Sequence, residues 1–563
     1  MSEALTVYPT PLEKVYGWVK KSPDFVFLRQ PINGVYREFT WREVDSQMRR
    51  IASALRGMGL EPGDRVAILA KNCAEWFITD YAIQLAGLIS VPLYPTQTAD
   101  SVQYIMEHSQ SKAIIVGKLD GARDMEPGIP ESVIRIAMPY PVDMARIDHQ
   151  WNDLLAANEP FAESPVHGMD ELMTIIYTSG TTGNPKGVMH TYGSFSFGAS
   201  NAVEVFGIGP QDRGLSFLPL SHIAERLMMF GTATYSGAAI TFNESLATFQ
   251  QNLLDTRPTL FFSVPRLWKK FQQGISTRMP DEKLDKLLRI PIVKGLVRKK
   301  IQKGLGLDQA RLVISGAAPI AADLLAWYEK IGIMINEGYG MTENLAYGPS
   351  FNAPGAVRFG TVGSVTILPG SETRINENGE IVVRSPTLMA GYYLDPEKTA
   401  ETIIDGWLHT GDRGEISSDG YLRITGRVKD VFKTEKGKFV QPNKIESLLA
   451  GSPLIEQVCV TGSGHSQPLA LLELSETARA MLPAGKAELE KQLLALANAV
   501  NKQIEHHEIL DRLFIVSRPW TPENGMLTPT LKIKRASVEE VYNNLLEKYR
   551  DSKVLVVWEA DEA

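Results

Sequence analysis

Residues Tyr177 to Gly187 read YTSGTTGNPKG and follow the apolar run Met173 to Tyr177. A strand ending in such a segment predicts a loop that cradles phosphate. Gly180 and Gly183 let backbone N–H groups approach an anion, and the hydroxyls of Thr178, Ser179, Thr181 and Thr182 donate further hydrogen bonds. Lys186 adds a point charge. The GxxxxGK[ST] spacing of a Walker A loop is absent. On its own the segment reads equally well as a Ser/Gly surface loop, so its surroundings have to decide.

Those surroundings are α/β. Val44, Met48, Ile51, Leu55 and Met58 repeat with helical period before Gly57 and Gly59, and GDRVAILA at 63–70 then reads as a buried strand. Similar short apolar runs recur at Lys112 to Val116, Ala238 to Phe242, Thr259 to Ser263 and Leu312 to Ser315, each separated by helix-like sequence. From about residue 355 the texture changes to short strands and turns. Past Arg427 a charged segment leads into mixed strands and two amphipathic helices, around Ala487 to Ile504 and Val538 to Tyr549. The expected architecture is a large N-terminal domain over 1–426, made of two α/β sheet subdomains and a small β-barrel-like one. A hinge at 427–430 and a smaller, mobile α+β C-terminal domain over 431–563 complete it.

Composition narrows the class without choosing a function. The chain has 563 residues, enough for more than one core, and 44% of them are hydrophobic. A formal net charge of −7 argues against general nucleic-acid binding. Only two cysteines occur, Cys73 and Cys459, so neither a disulfide framework nor a thiolate metal site is expected. The N-terminal residues lack the apolar core of a secretory signal. The most apolar stretch, Tyr81 to Tyr94, contains Gln84 and Pro92 and falls short of the ~20 residues that span a bilayer. A cytoplasmic protein is expected.

With its companions, YTSGTTGNPKG resembles the phosphate loop of the adenylate-forming superfamily, which holds acyl-CoA synthetases, beetle luciferases and peptide-synthetase adenylation domains. Further segments resemble that superfamily in the same order, from about residue 40 to 535. LPLSHIAER at 218–226 implies that His222 borders the acyl site. SGAAPI at 315–320 implies Gly316, Ala317 and Ala318 against adenine. EGYGMTEN at 337–344 implies that Glu337, Gly338, Tyr339, Gly340 and Met341 belong to the nucleotide site. Tyr339 would stack on the base, Thr342 contact the α-phosphate, and Glu343, with Thr178, hold Mg2+. In DGWLHTGD at 405–412 the resemblance assigns Asp412 to the ribose hydroxyls. In GRVKD at 426–430 it assigns Arg427 to the ribose and Lys429 to the hinge.

LTPTLKIKR at 527–535 places Lys532 at the catalytic lysine. Many relatives have Ser-Gly-Lys there, whereas this chain has Thr530-Leu531-Lys532, and Lys534 is an alternative. FKTEKGKFVQP at 432–442 implies that Lys436 and Gly437 line a pantetheine tunnel. These flanks and FFSVPRLW at 261–268 resemble the long-chain fatty acyl-CoA synthetase branch. The implied substrates are a fatty acid, ATP and CoA. Three rivals stay open: an acyl-AMP ligase loading a carrier protein, a CoA ligase for an aryl or other acid, and a catalytically silent nucleotide- or lipid-binding homologue. Lys283 to Lys303, where basic and apolar residues interleave, reads either as a solvated helix face or as a peripheral contact at the inner face of a membrane. Nothing in the sequence selects between a monomer and a homodimer.

Overall fold

The computed structural model describes residues 8–178, 184–528 and 531–561. Its N-terminal part is built on two mixed eight-stranded sheets. In strand order the first runs Ser350–Phe351, Asn336–Tyr339, Leu312–Ser315, Leu260–Ser263, Arg213–Ser216, Ala239–Phe242, Val26–Ile32 and Val35–Thr40. The second runs Gly391–Tyr392, Lys186–Thr191, Leu172–Thr178, Ile89–Leu93, Arg65–Ala70, Ser111–Gly117, Ile134–Ala137 and His149–Gln150. The first has parallel central strands between antiparallel pairs at both edges, and the second is parallel except at the edge formed by Gly391–Tyr392, Lys186–Thr191 and Leu172–Thr178. The apolar run at 81–94 is the end of helix Ala74–Leu85 leading into strand Ile89–Leu93.

Helix Trp41–Gly57 opens on a capping box between Thr40 and Glu43 and buries Val44, Met48, Ile51 and Leu55. Helix Ala74–Leu85 is buried on every side. Its Trp76, Phe77 and Tyr81 share one apolar cluster with Val66 and Ile68 of the second sheet and Leu28, Ile240 and Ile314 of the first. The helix therefore fills the space between the two sheets. It also carries Asp80, whose Oδ1 accepts from Arg226 Nη2 at 2.5 Å with both side chains fully buried. Arg226 donates as well to Thr174 Oγ1 and Ser90 Oγ on adjacent strands of the second sheet. The guanidinium thus nails the segment after His222 to the core.

The stretch after residue 355, read as barrel-like, forms a five-stranded antiparallel sheet of Glu372–Ile375, Glu380–Arg384, Trp407–Ile416, Ile403–Ile404 and Leu422–Arg427. Beyond an exposed turn at Val428, Lys429 and Asp430 come a small hairpin, Phe432–Lys433 with Phe439–Val440, and a mixed sheet of Ile455–Thr461, Leu469–Leu474, Arg512–Ile515 and Val556–Trp558. Helices Pro442–Ala450, Glu476–Asn501 and Arg535–Lys548 flank it. The second of these begins before the predicted Ala487 and kinks at Gly485, just after Pro483, which is why helical periodicity becomes legible only beyond that point. Among the described residues, the apolar clusters drawn from residues up to Ile424 share no member with those drawn from Phe432 onward. The two parts have separate cores.

Candidate functional site

The motif residues lie at the carboxyl ends of parallel strands, where ligands of α/β sheets collect. Thr178 ends Leu172–Thr178, Ser315 ends Leu312–Ser315, and Tyr339 ends Asn336–Tyr339. The phosphate loop bridges antiparallel strands, with Thr178 paired to Lys186. Ser179, Gly180, Thr181, Thr182 and Gly183 lie outside the described residues. The closing Gly187 is required sterically, since a Cβ there would meet Ile175 Cγ2 at 2.8 Å. Lys186 Nζ stands 5.3 Å from the centroid of the Tyr392 ring. Desolvation, then repulsion by Lys398, lowers its pKa.

Ser315 and Glu337 are register partners, so Gly316, Ala317 and Ala318 emerge beside Gly338 and Tyr339. Ala317 turns the chain with φ +67°. Burial pushes the Glu337 carboxyl up to about 8. Gly340 and Met341 lead into the turn Thr342–Asn344, whose buried Thr342 is anchored from below: its carbonyl lies 2.7 Å from His190 Nε2. Glu343 Oε1 accepts from the Tyr392 hydroxyl at 2.8 Å.

Asp412 is the meeting point. One carboxylate oxygen accepts from the Tyr339 hydroxyl at 2.5 Å and the other pairs with Arg427 Nε at 3.0 Å. Asp412 and Arg427 face each other across paired strands. Burial raises the Asp412 pKa against the pull of Arg427. Lys532 closes the group from the C-terminal part. Its side chain is exposed, within electrostatic reach of Arg427, Asp412 and Glu343. Desolvation and the charge of Arg427 lower its pKa, and Asp412 and Glu343 pull the other way. Burial and then the Lys532 charge hold His222 down to about 3. His222 Nδ1 accepts from the Ala224 N–H, which leaves the proton of the neutral ring on Nε2.

Lys532 and Lys534 differ in their local settings. Thr528 and Lys532 exchange hydrogen bonds, and Leu531 adopts φ +61°, a left-handed conformation that suits glycine. Leu531 thus fills the glycine position of the commoner triplet at the cost of some backbone strain. Lys534 instead precedes helix Arg535–Lys548 as its N-cap and bonds Met526 O. Lys429 is exposed in the turn between the two parts, close enough to repel Lys186. Lys436 and Gly437 sit at the exposed tip of the small hairpin.

Tyr392, His190 and Arg226 escaped the sequence reading because each acts through a partner 49, 152 or 146 residues away. Glu225 escaped too. Its Oε1 accepts from Ser216 Oγ at 2.8 Å and from the Phe217 N–H, its Oε2 has no partner among the described residues, and burial pushes its pKa up to about 8.

The AMP-binding enzyme family matches residues 15–393, and the AMP-binding enzyme C-terminal domain matches 429–553. This chain belongs to the AMP-binding enzyme family. The long-chain-fatty-acid–CoA ligase FadD15 of Mycobacterium bovis is 31% identical, over 95% of this chain and 96% of its own length. Among solved structures, the adenylation domain of a Mycobacterium chelonae carboxylate reductase shares the fold with a TM-score of 0.79 at 24% identity, covering 97% of this chain and 91% of that one. The Bacillus subtilis o-succinylbenzoate CoA synthetase in complex with ATP and magnesium does so at 0.72 and 22%, covering 94% and 98%. No helix among the described residues of this AMP-binding enzyme is long and apolar enough to cross a membrane.

The raised Glu225 pKa has a definite sign. Above pH 4.5 the unfolded state releases this proton while the folded state keeps it, so stability falls as pH rises and levels off above about 8. Glu225→Gln is expected to melt like the wild type near pH 4.5 and progressively above it toward pH 8, as read by thermal unfolding. A constant difference across that range refutes the buried neutral acid.

Proposed function

We propose that the chain activates a long-chain fatty acid with ATP, forming acyl-AMP and pyrophosphate, and then transfers the acyl group to CoA, releasing AMP. The observation that carries this reading is the convergence of Lys532, Arg427, Asp412, Glu343 and His222 on one cleft. In the first step a carboxylate oxygen bonds to the α-phosphorus as the bond to pyrophosphate breaks. Two anions must meet, so catalysis is positioning and charge neutralisation rather than nucleophilic attack by the protein. Lys532 bridges the reacting groups, Thr342 donates to the α-phosphate, and Lys186 balances the leaving pyrophosphate. Neutral His222 offers Nε2–H at the acyl site. Asp412 takes the ribose hydroxyls, Arg427 flanks them, and adenine lies between Tyr339 and Gly316, Ala317 and Ala318.

Mg2+ fits the donors present. Thr178 and Glu343 supply two hard oxygens, and no group of three or more His, Cys, Asp or Glu side chains among the described residues forms an all-protein cage. That suits a cation which keeps waters and substrate phosphates as ligands. It would neutralise phosphate charge.

In the second step the thiol bonds to the acyl carbon as the bond to AMP breaks. The thiol needs the room that Lys532 occupies, so the part beyond Asp430 turns about residues 427–430, with Lys429 absorbing the rotation, and brings Lys436 and Gly437 to the cleft. The separate apolar cores support such a motion. The fatty acid is favoured by the nearly full-length similarity to a long-chain-fatty-acid–CoA ligase.

Fatty acids partition into bilayers, and one surface suits delivery from there. On helix Pro291–Leu305 the inner face carries Val297, Ile301 and Leu305, while Ile292 and Leu296 are 83% and 67% exposed on the outer face. All charged residues from 289 to 303 are basic. We infer peripheral contact with anionic lipid there.

Acid-dependent pyrophosphate release should rise toward long saturated chains, and acyl-CoA should form only with CoA present. Absence of acid-dependent pyrophosphate release would revive the silent homologue, preference for aryl acids the CoA ligase for an aryl acid, and transfer to carrier protein alone the acyl-AMP ligase. Lys532→Ala should lower adenylation by about 100-fold or more while sparing thioester formation from supplied acyl-AMP; equal loss of both sinks the assigned role. Vesicles containing anionic lipid should sediment the wild type but not Ile292→Glu/Leu296→Glu, and equal sedimentation removes the lipid contact.

A further inference from the structure

We propose that Lys269 is a positioning residue which latches the C-terminal part in the orientation that seats Lys532 in the cleft. The inference rests on the two-step reading above. Helix Pro265–Arg278 belongs to the N-terminal part, and Lys269 projects from it across the junction. Its Nζ donates to three backbone carbonyls of the C-terminal part: Ala450 O at 2.7 Å, Ser452 O at 2.8 Å and Ile455 O at 2.9 Å. An ammonium has three N–H donors, and all three are used. Ala450 ends helix Pro442–Ala450, where carbonyls lack helical partners and a cation is favoured. One turn before Lys269 on helix Pro265–Arg278, Arg266 Nη2 pairs with Glu456 Oε1 at 2.6 Å.

The captured helix is rigidly coupled to Lys532. Its Glu446 accepts from the Val460 N–H and pairs with Arg535 at 2.8 Å. Arg535 follows Lys532 by three residues and opens helix Arg535–Lys548. A displacement of helix Pro442–Ala450 is therefore transmitted to the turn that carries Lys532. The Glu446–Arg535 link lies within the C-terminal part and survives a rotation. The Lys269 and Arg266 contacts join the two parts and break together when that part turns. Since no apolar cluster spans the junction among the described residues, polar contacts of this kind carry much of the preference between orientations. The latch favours adenylation and must open for thioester formation.

The half reactions separate the prediction from general damage. Acid-dependent exchange of pyrophosphate into ATP reads adenylation, and acyl-CoA formed from supplied acyl-AMP and CoA reads the second step. Lys269→Met should lower exchange by about tenfold or more and leave the second step unchanged or faster. Arg266→Glu and Glu456→Arg, both nearer the surface, should each lower exchange, and the double variant should recover most of it. Unchanged exchange in Lys269→Met, or equal loss in both half reactions, overturns the latch; failure of the swapped pair to recover removes Arg266 and Glu456 from it. Absence of exchange in the wild-type chain instead overturns the two-step reading itself.

Discussion

The carboxylate of Asp412 ties the first large sheet to the small five-stranded sheet and to the approach to the C-terminal part. Through the Tyr339 hydroxyl it holds the end of a strand in the first large sheet, and through Arg427 it holds the last strand before the turn into the C-terminal part. Lys532 then enters a field already set by that pair. Bringing two cations, Arg427 and Lys532, near one another is electrostatically costly, and the carboxylates of Asp412 and Glu343 act on both to offset it.

Behind the cleft, the interior uses polar groups for placement rather than for stability. The Arg226–Asp80 pair is wholly buried, and desolvation of two ions cancels much of their attraction. What the pair supplies is direction: a guanidinium fixed by Asp80, Ser90 and Thr174 sets where the π-helical turn Arg226–Gly231 starts. Four residues earlier stands His222. Glu225 works beside it as a neutral acid, accepting hydrogen bonds that would be left unmade by an apolar side chain. His222 consequently sits on a support that cannot shift without exposing buried charge.

Much of the fold was legible because helix and strand periods are local. The run of strands from 63 to 315 and the capped helix at 41–57 follow from apolar spacing alone, and the motifs singled out Tyr339, Asp412 and Arg427, which the structure brings into contact. Leu531 shows where local reading stops. By composition Thr-Leu-Lys departs from the common triplet, yet Leu531 adopts the left-handed backbone that suits glycine, which the sequence alone does not announce. Tyr392, His190 and Lys269 were illegible for a different reason. A tyrosine holding a carboxylate, a histidine bonding a carbonyl and a lysine gathering three carbonyls look ordinary in sequence, since their partners are 49 to 186 residues distant and two of the three partner sets are backbone atoms that carry no side-chain signature.

The nature of the junction follows from the same distinction between apolar and polar contact. Apolar burial stabilises roughly in proportion to area and tolerates sliding, but it offers no sharp reason to prefer one orientation over its neighbours. Hydrogen bonds from a single ammonium to three carbonyls have the opposite character: they are modest in total and lost together over a small displacement. Keeping the apolar cores on either side of residues 427–430 apart, and joining them by such contacts, yields a junction that is well defined when closed and inexpensive to open. An enzyme that must present a lysine in one step and make room for a thiol in the next needs both properties, and a shared apolar core would have denied it the second.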